Sequence, residues 1–286
     1  MNQNDLLEIR PLTREEMSLS IEWAAREGWN PGLYDAECFY AADPAGFLVG
    51  KLHGEPIGCI SAVRYGDEFG FIGLYIVLPE FRGRGFGIQL WRAAMERLAG
   101  RNVGLDGVVA QQANYARSGF HLAFRNVRYQ GVADRVCGDG LPRGVVAAGA
   151  VPFAKLAAYD RTIFPASREA FLKAWLEQPE AGGFAAIDGD ALRGYAVVRR
   201  CQLGWKIGPL AADDLPTARR LYATAALHAG AGATLFLDVP ATNDAARQLV
   251  EELAMTPAFE TARMYTGVEP AVDVTKLFGV TSFELG

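Results

Sequence analysis

Apolar residues along this chain change repeatedly between a helical and an extended spacing. Met17, Ile21 and Ala24 recur at the interval that forms one face of a helix. Residues 69–78 instead form a nearly continuous apolar and aromatic run, which is typical of a strand buried on both faces. The alternation predicts a mixed α/β fold of the α+β class, with strands and helices interleaved along the whole length.

The pattern gives specific elements in the first half of the chain. Thr13 followed by Glu16 is a capping box, which indicates the start of the first helix. We predict strands over 9–12, 46–52, 57–65, 69–78, 102–110 and 120–129, and helices over 13–26, 35–41, 88–99 and 114–118.

The second half repeats this order of elements. We predict helices over 154–159, 167–177, 215–228 and 243–254, and strands over 183–187, 193–199, 205–210, 234–239 and 259–266. The stretch 131–144 is rich in glycine and has the composition of a linker. Because 286 residues also suit two domains, we predict one over 1–135 and one over 144–286.

Composition narrows the class of protein. The 28 Lys and Arg residues against 33 Asp and Glu leave a net charge of −5, which disfavours non-specific binding of nucleic acid or anionic lipid. The longest uncharged run, 221–237, is shorter than the roughly 18 to 20 apolar residues of a membrane span. The beginning of the sequence shows no signal-peptide pattern, so a cytoplasmic protein is expected.

Cysteine and histidine offer no evident metal site. The four cysteines lie far apart without a CxxC pair, which indicates neither a zinc site nor a dense disulfide framework. His53, His121 and His228 have no motif around them and are interpreted as structural. We therefore expect no metal cofactor.

A glycine-rich loop follows the buried strand and precedes a helix. Its sequence, Arg82-Gly83-Arg84-Gly85-Phe86-Gly87, lets backbone N–H groups approach a ligand at a helix N-terminus, where the helix dipole favours an anion. A Walker A loop would need Gly-Lys-Ser/Thr, and a Rossmann fingerprint would need a third glycine near Ile88 or Leu90. A phosphate-binding loop of a third type is therefore predicted.

The loop resembles the signature of the GNAT superfamily of acetyl-CoA-dependent N-acetyltransferases, Arg/Gln-x-x-Gly-x-Gly/Ala. Arg82, Gly85 and Gly87 occupy its fixed positions. A second motif, residues 114–120, is similar to the family's Asn…Tyr-x-x-x-Gly-Phe. Residues 27–32, 43–47, 262–267 and 278–281 look like the two-domain YitH-type subgroup. The resemblance implies two tandem GNAT-like domains, each a mostly antiparallel twisted sheet flanked by helices, with a splayed central strand pair.

The resemblance also implies roles for individual residues. Loop amides would hold the pyrophosphate of coenzyme A, the preceding strand would pair through its backbone with the pantetheine arm, and Tyr115 would protonate the departing thiolate or merely pack against the cofactor. The implied cofactor-binding residues are Tyr75, Ile76, Val77, Arg82, Gly83, Arg84, Gly85, Phe86, Gly87 and Asn114.

The general base is the point where this sequence departs from many relatives. Residues 71–75 contain no carboxylate where those relatives carry a glutamate. Asp67 or Glu68, a water molecule, or a group from the second domain are the open alternatives. Carboxylates in the region that borders the acceptor site, which either hold a cationic amine or are ordinary surface residues, are Asp35, Glu37 and Asp43.

The second domain lacks the glycine loop. Asp213 and Asp214 stand at the matching point and would repel a pyrophosphate, while Met255 replaces the expected phenylalanine. We therefore expect a degenerate domain that does not bind coenzyme A in the usual way and forms one wall of the acceptor pocket. Candidates for that wall, with ion pairs inside the domain as the alternative, are Asp160, Arg161 and Arg263.

The resemblance implies an N-acetyltransferase in which the amine of an acceptor attacks acetyl-CoA directly within a ternary complex. A small-molecule acceptor is expected, because the second domain would narrow the groove that a protein substrate needs. A non-catalytic acyl-CoA-binding sensor or regulatory protein is the alternative. The acyl chain preferred, the acceptor and the oligomeric state stay open.

Overall fold

The computed structural model of the protein describes residues 6–133 and 142–286. Most of the predicted linker 131–144, and with it Cys137, therefore lies outside the described residues. None of the described helices combines the length and apolarity needed to cross a bilayer.

The first half of the chain contains six strands and four helices among its described residues. Their order and type agree with the sequence prediction, and most bounds differ by one to four residues. The elements are β1 Glu8–Pro11, α1 Met17–Arg26, α2 Asp35–Ala42, β2 Phe47–Leu52, β3 Glu55–Tyr65, β4 Phe69–Val77, α3 Phe86–Arg97, β5 Asn102–Val108, α4 Gln112–Arg117 and β6 His121–Val132.

The second half, in its described part, adds two short strands that the sequence pattern did not predict, β7 and β13. Each has three residues, too few for a periodic signal. The elements are β7 Val145–Ala147, α5 Phe153–Ile163, α6 Glu169–Glu177, β8 Ala181–Asp188, β9 Ala191–Arg200, β10 Trp205–Ala212, α7 Leu215–Ala229, β11 Thr234–Pro240, α8 Asp244–Glu252, β12 Thr256–Tyr265 and β13 Leu277–Gly279.

All the described strands belong to one sheet, which is open rather than closed into a barrel. Along it the order is β1-β2-β3-β4-β5-β12-β6-β11-β10-β9-β8-β7, and β13 pairs with β10. Only two of the pairings between these strands are parallel, β4 with β5 and β10 with β11. The predicted mostly antiparallel, mixed α/β fold is confirmed.

The two halves exchange strands at the centre of the sheet. Strand β12, from the second half, lies between β5 and β6 of the first half and is antiparallel to both. Strand β6 in turn pairs with β11. The limits 1–135 and 144–286 stay a prediction for the chain, but in space the halves interleave.

A shared core and buried charges also join the halves. Phe39 on α2 stacks on Trp175 of α6, with ring centroids 6.2 Å apart. Arg199 on β9 donates to the Asp35 carboxylate on α2 at 2.9 Å, and both side chains are fully buried. Because breaking a buried pair leaves an uncompensated charge, this contact fixes α2 against the second half.

Residues 277–285 form a buried C-terminal segment that contacts strands of both halves. It begins as β13 on β10 and ends beside β4. A Cβ at Gly73 of β4 would lie 2.1 Å from the carbonyl oxygen of Glu284, so only glycine admits the segment there. The segment thus brings side chains of the second half to the strand that precedes the glycine loop.

Candidate active site

Strands β4 and β5 separate partway along their length. They pair in parallel from Phe69 with Asn102 as far as Ile72 with Leu105, and no pairing follows. A β-bulge lies just beyond this point: Leu74 and Tyr75 oppose one residue of β3, and Leu74 has a φ of +46°. The bulge turns the strand away from β5 and leaves a gap, as the splayed strand pair in the sequence interpretation requires.

The gap opens into a cavity of about 800 Å³. Its walls come from β4, β5, the start of α3, helix α4 and the C-terminal segment. A cavity of this size, apolar for the most part and with a few polar groups, is the usual setting of a small-molecule site. The sequence-predicted residues that line it are Tyr75, Ile76, Val77, Arg82, Gly83, Gly87, Asn114 and Tyr115.

The glycine loop presents free backbone at the start of α3. Gly83 and Gly85 have φ angles of +75° and +87°, which side chains other than glycine rarely adopt. Gly85 is the N-cap residue and no side chain of the described residues caps the helix, so its first N–H groups lack a partner within the helix. Together with the helix dipole, these groups form a site suited to phosphate.

Side chains around the loop have separate positions. Arg82 donates through Nε to the carbonyl of Val77 at 2.7 Å and pairs with Glu27. Arg84, Gly85 and Phe86 do not line the cavity. The Arg84 guanidinium lies 5.0 Å from the centre of the Phe86 ring, and that ring is buried in the core.

Gly87 is the third glycine of the loop and is required by packing. A Cβ there would lie 2.6 Å from the hydroxyl of Tyr75. A side chain at this position would push Tyr75 out of the cavity wall.

Tyr115 stands opposite the loop on α4. A Cβ at Gly107 would lie 2.3 Å from its ring, so glycine at that position lets the ring settle on β5. Trp91 packs beside it, with centroids 5.6 Å apart. Burial raises the pKa of Tyr115 to about 12, so its phenol is protonated at neutral pH and can donate a proton.

Tyr75 is a second phenol on the same cavity. Its ring lies 5.7 Å from Trp91, and burial raises its pKa to about 12 as well. Asn114, by contrast, is exposed at the cavity mouth and bonds to Gln111 and Arg117. Two protonated phenols are therefore available where the sequence interpretation singled out one.

Sequence reasoning assigned no role to several cavity residues, four of which come from the second half of the chain. Two of them, Glu27 and Trp29, lie in segment 27–32, which resembles the YitH-type subgroup but indicates no role for either residue. The residues are Glu27, Trp29, Asp106, Arg128, Phe259, Thr261, Phe283 and Glu284. Those of β12 and the C-terminal segment lie more than 140 residues from the glycine loop, so no local motif could indicate them.

Three carboxylates of the described residues line the cavity, and two of them are in ion pairs. Glu27 pairs with Arg82. Asp106 accepts from Nε and an Nη of Arg263 at 2.9 and 2.6 Å. Glu284 is 4% exposed, forms no ion pair with the described residues, and its Oε2 has no hydrogen-bond partner among them.

The other acidic candidates lie away from the cavity lining. Asp35 pairs with Arg199, Glu37 with Arg14 and Asp43 with Arg97. Asp67 is fully exposed in the turn between β3 and β4, and Glu68 adjoins it. Each has a structural role or a solvent-exposed position. The expectation that the first three border the acceptor site, and the alternative that Asp67 or Glu68 is the base, therefore gain no geometric support.

The proposed wall residues of the second half, Asp160, Arg161 and Arg263, also lie outside the cavity lining. Asp160 is buried in an ion pair with Arg168, and Arg161 donates to a backbone carbonyl. Arg263 orients Asp106 from behind the cavity. Within 6–133 and 142–286, no group of three or more His, Cys, Asp or Glu side chains could hold a metal ion.

Two family models match the chain. The model described as the acetyltransferase (GNAT) family matches residues 9–123, and the one described as an acetyltransferase (GNAT) domain matches residues 156–279. A Pseudoalteromonas protein (strain SANK 73390) named holothin acyltransferase is 31% identical over 286 residues, which cover 100% of this chain and 97% of the relative.

Solved structures share the fold. A candidate acetyltransferase from Pyrococcus horikoshii superposes with a TM-score of 0.84 at 23% identity, covering 99% of this chain and 96% of that one. A tandem GNAT protein from the clavulanic acid biosynthesis pathway gives 0.62 at 15% identity, covering 92% and 99%. Both similarities concern the arrangement of the elements.

Proposed function

The chain belongs to the GNAT acetyltransferase family, and from that premise we propose that it transfers the acetyl group of acetyl-CoA to the amine of a small-molecule acceptor. One observation carries the proposal: the gap between β4 and β5 leads from an uncapped helix N-terminus to a protonated tyrosine. Such a gap suits a long ligand with phosphate at one end and a reactive group at the other.

In this proposal the cofactor lies along β4. The N–H groups of loop 82–87 bind its pyrophosphate, and the unpaired edge of β4 beyond Ile72 offers backbone groups to the pantetheine arm. N–H groups near Tyr75 polarise the thioester carbonyl, because fixed donors stabilise the charge that develops on its oxygen. The acetyl group then lies within the cavity.

The reaction proceeds by direct attack in a ternary complex. The amine nitrogen forms a bond to the carbonyl carbon, the carbon–sulfur bond breaks, and Tyr115 donates its phenol proton to the leaving sulfur. An uncharged phenol suits this step since it needs no prior protonation at neutral pH. A small acceptor fits better than a protein chain because β12 and the C-terminal segment also line the cavity and narrow the space for an acceptor.

The test is release of coenzyme A thiol when the protein is incubated with acetyl-CoA and candidate amines. Holothin is the first acceptor to include, since the relative's name assigns it that molecule. We expect Tyr115→Phe to lower kcat by about a hundredfold and to leave the Kd for acetyl-CoA nearly unchanged.

Two further variants sharpen this experiment. Tyr40→Phe removes a phenol that does not line the cavity and should leave kcat unchanged. If Tyr75→Phe rather than Tyr115→Phe caused the large loss, Tyr75 would be the proton donor. Tight binding of acetyl-CoA without turnover across a broad amine panel would instead establish the sensor function.

A further inference from the structure

Glu284 is the cavity carboxylate that forms no ion pair with the described residues. Glu27 and Asp106 are each held by an arginine, whereas Oε2 of Glu284 is buried without a hydrogen-bond partner among the described residues. Burying a carboxylate oxygen unpaired costs several kcal/mol, so such a group marks a place where a ligand completes the bonding.

A second unsatisfied atom lies on the same cavity. Thr261 of β12 lines it, and its buried Oγ1 has no hydrogen-bond partner within the described residues. An ammonium group has three N–H donors and can bond to a carboxylate and a hydroxyl at once. The carboxylate accepts from a cationic amine and repels an anion, and the hydroxyl can accept as well, so the pair matches a cationic amine better than an anionic or purely apolar ligand.

The charges around Glu284 explain how its carboxylate is tolerated before an amine arrives. It interacts with three buried cations, Arg128, Arg199 and Lys206. Asp238 and Asp35 pair with the two arginines, and Lys206 donates to the carbonyl of Asn30 at 3.0 Å. The three carboxylates and three cations of this group balance in charge, while Oε2 of Glu284 has no hydrogen-bond partner among the described residues and is free to accept.

Aromatic side chains also line the cavity. Trp29, Phe259 and Phe283 line it, and the rings of Phe259 and Phe283 are 6.3 Å apart. The Arg128 guanidinium lies 4.8 Å from the centre of the Phe283 ring. Its N–H groups donate to the Asp238 carboxylate and to the carbonyl of Trp29. Because Asp238 neutralises Arg128, this wall offers mainly flat apolar surface.

We propose that Glu284 is the catalytic carboxylate that binds the acceptor's ammonium group and takes its proton, and that the acceptor is a primary amine on a flat, largely apolar body. This proposal rests on the proposed acyl transfer and assigns its unidentified base. Thr261 positions the amine, and Trp29, Phe259 and Phe283 hold the body of the acceptor.

The proton balance is complete with these groups. One ammonium proton passes to Oε2 of Glu284 and then to solvent, which frees the nitrogen lone pair to form the bond to carbon. The carbon–sulfur bond breaks as the sulfur receives the phenol proton of Tyr115. The second proton lost by nitrogen restores that phenol, so the products are an amide, coenzyme A thiol and one proton.

The test uses acetyl-CoA with tryptamine as the probe amine, and acetyl-CoA binding is measured separately by calorimetry. Glu284→Gln should lower kcat/KM for tryptamine by about a hundredfold or more and leave the Kd for acetyl-CoA nearly unchanged. Glu284→Asp should restore most of the activity. Glu251→Gln, at an exposed position on α8, is the matched control and should behave like the wild type.

Full turnover of tryptamine by Glu284→Gln would overturn the assignment, since a purely structural carboxylate would affect only stability. Failure of the wild type to bind acetyl-CoA would overturn the proposed function itself. The wild type offers an independent measurement should the variants not fold. We expect kcat/KM to be at least about tenfold higher for tryptamine than for n-butylamine, because the ring buries apolar surface. A preference for n-butylamine or spermidine would contradict the aromatic pocket.

Discussion

The two halves of this protein contain the same strand bulge with opposite consequences. In the first half, β4 bulges at Leu74 and separates from β5, which leaves a cavity. In the second half, β10 pairs in parallel with β11 as far as Ile207 and bulges at Gly208. There, β13 pairs with β10 just beyond the bulge and covers the strand edge that stays open in β4.

The helices that follow differ in the same sense. Helix α3 begins at Gly85 without a side-chain cap, so its first N–H groups can meet a ligand. Helix α7 begins after Asp214, whose carboxylate accepts from the N–H of Thr217 at 2.8 Å. A carboxylate already occupies the place where a phosphate would bind. One fold therefore carries either a ligand site or a closed core, depending on a strand of three residues and one capping side chain.

The largest expected effect is the loss of coenzyme A binding by the open half. Gly85→Glu places a carboxylate beside the phosphate site, and we expect the Kd for coenzyme A to rise on the order of a thousandfold, because like charges brought together cost several kcal/mol. Calorimetric titration with coenzyme A measures this directly.

Two controls separate charge from backbone strain. Gly85→Ala shares the positive φ without the charge and should lose far less affinity. Pro216→Glu introduces the same charge at an exposed position in the first turn of α7 and should leave affinity intact. Equal losses at Gly85 and Pro216 would mean that coenzyme A contacts both halves, and the comparison would fail.

The C-terminal segment supports both bulges, and glycine is the residue that admits it. A Cβ at Gly208 would lie 2.5 Å from the carbonyl oxygen of Thr281, much as one at Gly73 would collide with Glu284. We expect Gly208→Ala and Gly73→Ala each to lower the free energy of unfolding by about 2 kcal/mol, measured by urea denaturation. Only Gly73→Ala should also lower acetyl transfer, because it displaces Glu284.

Gly149→Ala is the matched control for this pair. A Cβ there meets nothing within 4 Å, so stability and turnover should both stay at wild-type values. A loss of turnover in Gly208→Ala as large as that in Gly73→Ala would show that the closed half contributes to the chemistry. That result would contradict the division between the halves.

The features that the sequence could predict are local ones, and those of the candidate site lie mainly in the open half. The glycine loop, its strand and Tyr115 are local patterns, and local patterns survive folding because backbone freedom and helix termini belong to a few consecutive residues. The Thr13–Glu16 box likewise forms both of its hydrogen bonds, although they close a turn just before α1.

What the sequence could not predict depends on distant contacts. The insertion of β12 between β5 and β6 joins residues far apart in the chain, and nothing in the apolar alternation of β12 identifies its neighbours. The position of Glu284 on the cavity follows only from the path of the C-terminal segment. The catalytic base was therefore the part of the chemistry that sequence reasoning left open.

The smallest expected effect concerns the cap that closes α7. Asp214→Ala removes the bond to Thr217, and we expect a loss of about 1 kcal/mol in the free energy of unfolding at pH 7, as is usual for an N-cap. Hydrogen bonds from Thr217 lower the pKa of Asp214 below its ordinary value of 3.8. The stabilisation is therefore present above that ordinary value and is lost as the pH falls through the lowered one.

The free energies of unfolding of the wild type and Asp214→Ala should therefore become equal at low pH. Urea denaturation of both proteins at pH 7 and in steps below pH 3.8 measures this, with the exposed Glu251→Ala on α8 as the control. A gap between the wild type and Asp214→Ala that persisted at the lowest pH would exclude a charged cap as its cause. The same variant should not gain coenzyme A binding, since β13 still covers the edge of β10. If Asp214→Ala did bind coenzyme A, the capping carboxylate alone would prevent binding by the closed half, and β13 would play no part in preventing it.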